Sequence, residues 1–86
     1  MSIRLLICED RKLVREYLQE LISPWQGIEI VGQAASEEEA VWLARVVRPD
    51  IVLMDVVLSG ARGSGITATR TIRAENPAVK VLAVSM

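Results

Sequence analysis

The chain has 86 residues, is 51% hydrophobic, and sets ten Lys and Arg against eleven Asp and Glu for a formal net charge of -1. That is too apolar for a disordered segment, and it leaves no net field to draw the chain to nucleic acid or to an anionic membrane. One cysteine, Cys8, and no histidine exclude an internal disulfide, a cysteine-based structural zinc cluster and a Ser-His-Asp triad, while 3% aromatics without Phe leave no base-stacking platform.

Residues 3–8 (Ile-Arg-Leu-Leu-Ile-Cys) are mostly apolar and read as a strand buried on both faces. Residues 11–23 carry Leu13, Val14, Tyr17, Leu18, Leu21 and Ile22 at spacings of three and four, which predicts an amphipathic helix capped by Asp10 and stopped by Pro24. After a turn at Trp25-Gln26-Gly27, residues 28–34 partly alternate and predict a second strand near a sheet edge. Ser36-Glu37-Glu38-Glu39 is a capping-box pattern that opens a helix running to about Val47, with Pro49 ending it. Residues 50–54 predict a short buried strand that delivers Asp55 at its C-terminal end. Residues 59–65 are the one glycine-rich loop, 66–74 a third helix weakened by three threonines, and 79–84 (Val-Lys-Val-Leu-Ala-Val) a fourth, buried-type strand.

This β-α-β-α-β-α-β order predicts an open parallel sheet with helices on both faces. No repeat or linker interrupts it, so residues 1–86 read as one domain. No apolar run approaches the roughly 20 residues that span a membrane, and the N-terminus lacks a small-residue cleavage pattern. A reduced, cytoplasmic setting with no membrane partner is therefore expected. The last strand has no following helix to cover it. An uncovered apolar edge strand invites pairing with a second molecule, so a homo-oligomer or an element-exchanged dimer is expected.

In open α/β sheets, ligands bind beyond the C-terminal ends of the strands. Glu9 and Asp10 follow the first strand there, and Asp55 follows the third. Carboxylates brought together repel unless a cation sits among them, and a cluster of hard oxygen ligands suits Mg2+. Ser85, at the end of the fourth strand, would reach the same crevice with a hydroxyl. The chemistry permitted is phosphoryl transfer onto an aspartate. Plainer readings stand beside this one. Asp10 is also explained as a helix cap, Cys8 as a small buried hydrophobe, Asp50 as the start of a strand at the wrong end of the sheet, and Arg70, Arg73 and Lys80 as a solvated face. Neither a phosphate-binding loop nor a dinucleotide-binding glycine pattern is present.

The segments Ile3-Arg4-Leu5-Leu6-Ile7-Cys8-Glu9-Asp10, Leu13-Val14-Arg15 and Pro49-Asp50-Ile51-Val52-Leu53-Met54-Asp55 together resemble a response-regulator receiver domain. The likeness is nearest to receivers that precede a LuxR/NarL-class helix-turn-helix domain, and Ile30-Val31-Gly32-Gln33-Ala34 and Arg70-Thr71-Ile72-Arg73 look like the same subgroup. The resemblance covers the whole chain and roughly the first two-thirds of a receiver. It implies a flavodoxin-like receiver topology of strand order 2-1-3-4, with the last strand and last two helices missing from this chain. It also implies Asp55 as phosphoacceptor, with Mg2+ held by Glu9, Asp10, Asp55 and the backbone carbonyl of Val57. Ser85 would be the switch hydroxyl and a histidine kinase the donor, with DNA reached only through a domain absent from this chain. Three departures stand out. Ser59-Gly60 replaces the family's Pro-Gly. The following loop is longer, so Gly63 and Gly65 compete for one glycine position. The strand-five lysine is not in the chain.

Two other functions fit part of the pattern. A pseudo-receiver would bind a partner and leave Asp55 unmodified. A small Mg2+-dependent phosphatase-like module would need a second acid two residues after Asp55, where Val57 stands.

Overall fold

Four apolar segments hydrogen-bond in parallel, in the spatial order second-first-third-fourth along the chain, in a computed structural model that describes residues 2–58 and 61–84. The strands are β1 (Ile3–Cys8), β2 (Ile28–Ala34), β3 (Ile51–Asp55) and β6 (Lys80–Val84), and the connecting helices are α1 (Lys12–Ile22), α2 (Glu37–Val47) and α3 (Ser64–Glu75). The expected sheet order therefore holds, with β6 as the fourth strand. The partly alternating β2 lies at one edge, and β6 lies at the other.

Period-two alternation sends neighbouring residues of β1 and β3 to opposite faces. On one face Leu6, Cys8, Val52 and Met54 pack with Ala40 of α2 and with Ala68 and Ile72 of α3 into a closed core. On the other, Leu5 and Ile7 meet Ile22, with Leu18, Ile51 and Leu53 only half-buried. There α1 leaves Leu13 80% exposed, so the apolar spacing of this helix exceeds what the described sheet covers. Cys8 is the expected buried hydrophobe; burial, then the charge of Glu39, pushes its thiol up to about 12.

The capping box at α2 forms as its spacing requires. Ser36 Oγ accepts from the Glu39 N–H at 3.1 Å, while Glu39 Oε1 accepts from the Ala35 N–H at 2.7 Å. Asp50 sits at the far end of the sheet, its Oδ2 accepting from the Arg4 N–H at 2.8 Å.

Three expectations are corrected. Asp10 does not cap α1: the cap position is Arg11, without a side-chain capping bond, so the carboxylate remains at the strand end. Residues 59–65 are not all loop. Val57–Leu58 (β4) and Ala61–Arg62 (β5) form a short antiparallel ladder, and α3 begins at Ser64, whose hydroxyl accepts from the Leu58 N–H and donates to the Leu58 carbonyl, both at 2.6 Å. The fourth strand is not buried: Leu82 is 55% exposed, because no element among the described residues covers that edge. No helix of the described residues is long and apolar enough to cross a membrane.

Candidate functional site

The parallel register of β1 and β3 sets Cys8 opposite Met54, so the residues that follow emerge side by side at the C-terminal end of the sheet. Glu9, Asp10 and Asp55 converge there, each offering an oxygen within 4.8 Å of the others. Glu9 is 2% exposed and Asp55 5%, so two carboxylates lie almost out of water beside one another. An all-carboxylate donor set with this spacing fits a hard divalent cation.

Arg11 answers part of this charge. Its Nη2 donates to Glu9 Oε1 at 2.8 Å, its Nε to Glu9 Oε2 at 3.1 Å and its backbone N–H to Glu9 Oε2 at 2.8 Å. The same Nη2 stands 3.7 Å from Asp55 Oδ2. Arg15 braces the turn, its Nη1 donating to the Glu9 carbonyl at 2.9 Å. Asp55 Oδ1 accepts from the Val57 N–H at 3.1 Å.

The two buried carboxyls diverge in acidity. Burial pushes Glu9 up, but the side-chain and backbone hydrogen bonds of Arg11 outweigh it and hold Glu9 below the ordinary value. Asp55 is raised: burial dominates, the Val57 hydrogen bond opposes it, and the Glu9 charge adds to it. A charge-assisted fork thus satisfies Glu9, whereas among the described residues Asp55 has one backbone hydrogen bond and a distant guanidinium.

Packing under Asp55 decides between the two candidate glycines. Gly63 precedes α3 with φ of 82° and open space around it. Gly65 lies in the first turn of α3 and donates its N–H to the Val56 carbonyl at 3.2 Å. A methyl group on Gly65 would stand 1.9 Å from the Asp55 carbonyl oxygen and 2.7 Å from Val56 Cα. Gly65 is therefore the residue that lets α3 approach the backbone of Asp55.

The structure brings Glu9, Asp10 and Asp55 together. Val57, in β4, has its side chain outward and its N–H on Asp55. Ser85 lies outside the described residues; its neighbour Val84 pairs with Asp55, and the Val84 carbonyl accepts from the Val56 N–H at 3.2 Å. The residue that sequence reasoning missed is Arg11. The signal was available: a guanidinium directly after two acids can fold back onto the first of them.

A family model for the response regulator receiver domain matches residues 5–86. Response regulator GacA of Pseudomonas viridiflava is 40% identical over 84 residues, which are 98% of this chain and 38% of that protein. Response regulator protein VraR of Staphylococcus aureus (strain NCTC 8325) is 35% identical over 82 residues, covering 95% of this chain and 38% of that protein. A crystal structure of a LuxR-family two-component response regulator from Aurantimonas sp. SI85-9A1 superposes with a TM-score of 0.89 at 38% identity, covering 100% of this chain and 60% of that one. The chain thus spans about two-fifths of the length of the curated relatives it matches.

Proposed function

The chain belongs to the response-regulator receiver family, of the LuxR/NarL type, and from that premise we propose that Asp55 accepts a phosphoryl group from the phosphohistidine of a histidine kinase, with Mg2+ at the acidic cluster. The observation that carries this reading is the convergence of Glu9, Asp10 and Asp55 within 4.8 Å, at the end of the sheet where this fold binds ligands.

In the proposed step an Asp55 carboxylate oxygen attacks phosphorus in line with the phosphohistidine nitrogen. The O–P bond forms, the P–N bond breaks, and the leaving imidazole keeps the electron pair. Glu9 and Asp10 would hold the metal with Asp55 and the Val57 carbonyl. When bound, Mg2+ supplies neutralisation of the charge on the transferring phosphoryl oxygens. The Val57 N–H fixes one Asp55 oxygen, leaving the other for attack. Ser85 is assigned the switch hydroxyl that would turn toward the phosphoryl group.

This is a signalling role rather than substrate turnover, in keeping with the family. In the longer relatives the receiver is one part, and we assign any contact with DNA to a domain outside these 86 residues. A cytoplasmic setting suits a kinase partner. Among the described residues no strand pairs with the outer side of β6 and Leu82 is exposed, which supports self-association through that edge; a monomeric mass in light scattering at micromolar concentration would overturn it.

The test of the main reading is intact mass after incubation with acetyl phosphate and Mg2+. A labile phosphoryl adduct is expected, absent in Asp55→Asn and in EDTA. No adduct on folded protein would leave a pseudo-receiver that works only through its partners.

A further inference from the structure

We propose that Arg11 is the built-in occupant of the metal-free site, a guanidinium with which a divalent cation must compete. The inference rests on the metal reading of the acidic cluster and assigns a new residue to its regulation.

The geometry places one nitrogen beside two of the three carboxylates that would hold the metal. Arg11 Nη2 is 2.8 Å from Glu9 Oε1 and 3.7 Å from Asp55 Oδ2. Both Glu9 oxygens are taken by Arg11, one by Nη2 and the other by Nε and the backbone N–H. Mg2+ needs oxygens at about 2.0–2.1 Å in near-octahedral array. Arg11 thus fills three of the roughly four lone-pair sites of this carboxylate, so a cation reaching Glu9 competes with the fork and would sit within a few ångströms of a like charge. Among the described residues, the ion pairs of Glu9 and Asp55 are both with Arg11. The side chain is nonetheless 44% exposed, so it can swing into solvent without breaking the core. Arg15 stays in place because it holds the Glu9 carbonyl rather than the carboxylate. Arg11 therefore acts as a gate. It neutralises the buried acids when metal is scarce, and it sets the Mg2+ concentration at which the site becomes competent.

The experiment is calorimetric titration of EDTA-treated protein with Mg2+ alone, paired with thermal melts, on wild type, Arg11→Gln and Arg11→Lys. Arg11→Gln keeps the backbone bond to Glu9 but removes the charge; it is expected to bind Mg2+ about three- to tenfold more tightly. It should also melt lower without metal and gain more on adding Mg2+. Arg11→Lys keeps the charge without the fork and should fall between the two. Equal or weaker Mg2+ affinity in Arg11→Gln overturns the gate while the metal reading stands. Absence of Mg2+ binding in all three folded proteins overturns the metal reading itself, and the gate with it.

Discussion

Two arginine–glutamate forks hold opposite ends of this molecule, alike in their side-chain pairing and different in their surroundings. Arg45 grips Glu75 with Nε at 2.7 Å from Oε1 and Nη2 at 2.6 Å from Oε2, joining α2 to α3. Arg11 grips Glu9 in the same manner beyond the end of β1. Both partners of the first pair stand in water, and their charges balance one to one. In the second, Glu9 is buried beside Asp55, and Asp10 adds a third carboxylate. Pairing chemistry is thus no guide to function; the balance of charge around the pair is. Size is no guide either. A cleft of about 220 Å3 opens next to Arg45 and Glu75, yet among the described residues it gathers no cluster of carboxylates.

The harshest way to break the comparison is to disturb the backbone that carries Asp55. Gly65→Ala would drive a methyl group into the Asp55 carbonyl, where only main chain could yield. A loss of about 3 kcal/mol is expected from such overpacking, read as a drop in Tm of more than about 10 °C by circular dichroism. An unchanged Tm would mean that α3 can back away from Asp55. Truncating Arg45 itself should not approach this effect, since its side chain stands in water.

The imbalance itself is tested by Asp55→Asn, which can keep the Val57 hydrogen bond while removing one buried charge. Without metal at neutral pH the variant should be more stable than wild type by about 1 kcal/mol, a shift of about 4–8 °C. The sign with pH follows from the raised pKa of Asp55. The folded chain holds the Asp55 proton more tightly than the unfolded one, so wild-type stability from this group rises as pH falls from the raised value through 3.8. The advantage of Asn should therefore shrink on acidification, and Mg2+ should reverse it at neutral pH. A destabilised metal-free variant would show that Arg11 already satisfies both acids.

Alternation and caps made most of this legible in the sequence. Leu5, Ile7, Ile51 and Leu53 fall on one face and Leu6, Cys8, Val52 and Met54 on the other because a strand has no other choice, and Ser36 with Glu39 announces α2. The pairing of Glu9 with Asp55 also followed, since parallel neighbours end together. What escaped depends on tertiary space. The close approach of Gly65 is set by a backbone distant in the fold, so Gly63 and Gly65 could not be told apart by position. The ladder of β4 with β5 has two residues per strand, too few for periodicity to register. Asp10 satisfies every rule for a helix cap and loses that role to Arg11, whose backbone N–H and side chain both close onto Glu9.

That lost role gives a sharper and smaller test. If Asp10 capped α1, Asp10→Ala would cost about 1 kcal/mol. Because it does not, the metal-free stability should change by less than about 0.5 kcal/mol, while Mg2+ affinity falls in calorimetry. A large loss of stability with unchanged Mg2+ affinity would restore the capping role and remove Asp10 from the site.

The smallest effect is expected at the other fork. Arg45 and Glu75 hold each other strongly enough to raise one acidity constant and lower the other, the hydrogen bonds being the main cause on both sides. Both groups are nevertheless well solvated, where side-chain ordering and salt screening offset most of the attraction. Arg45→Gln should therefore move Tm by no more than about 2 °C. It should leave Mg2+ affinity and acetyl-phosphate labelling as in wild type, because among the described residues no cluster of carboxylates includes Glu75. Arg11→Gln makes the same chemical change at the opposite end and is expected to alter Mg2+ affinity several-fold. If both variants shifted Mg2+ affinity alike, the effect would belong to the overall charge of the chain, and the distinction between the two ends would fail.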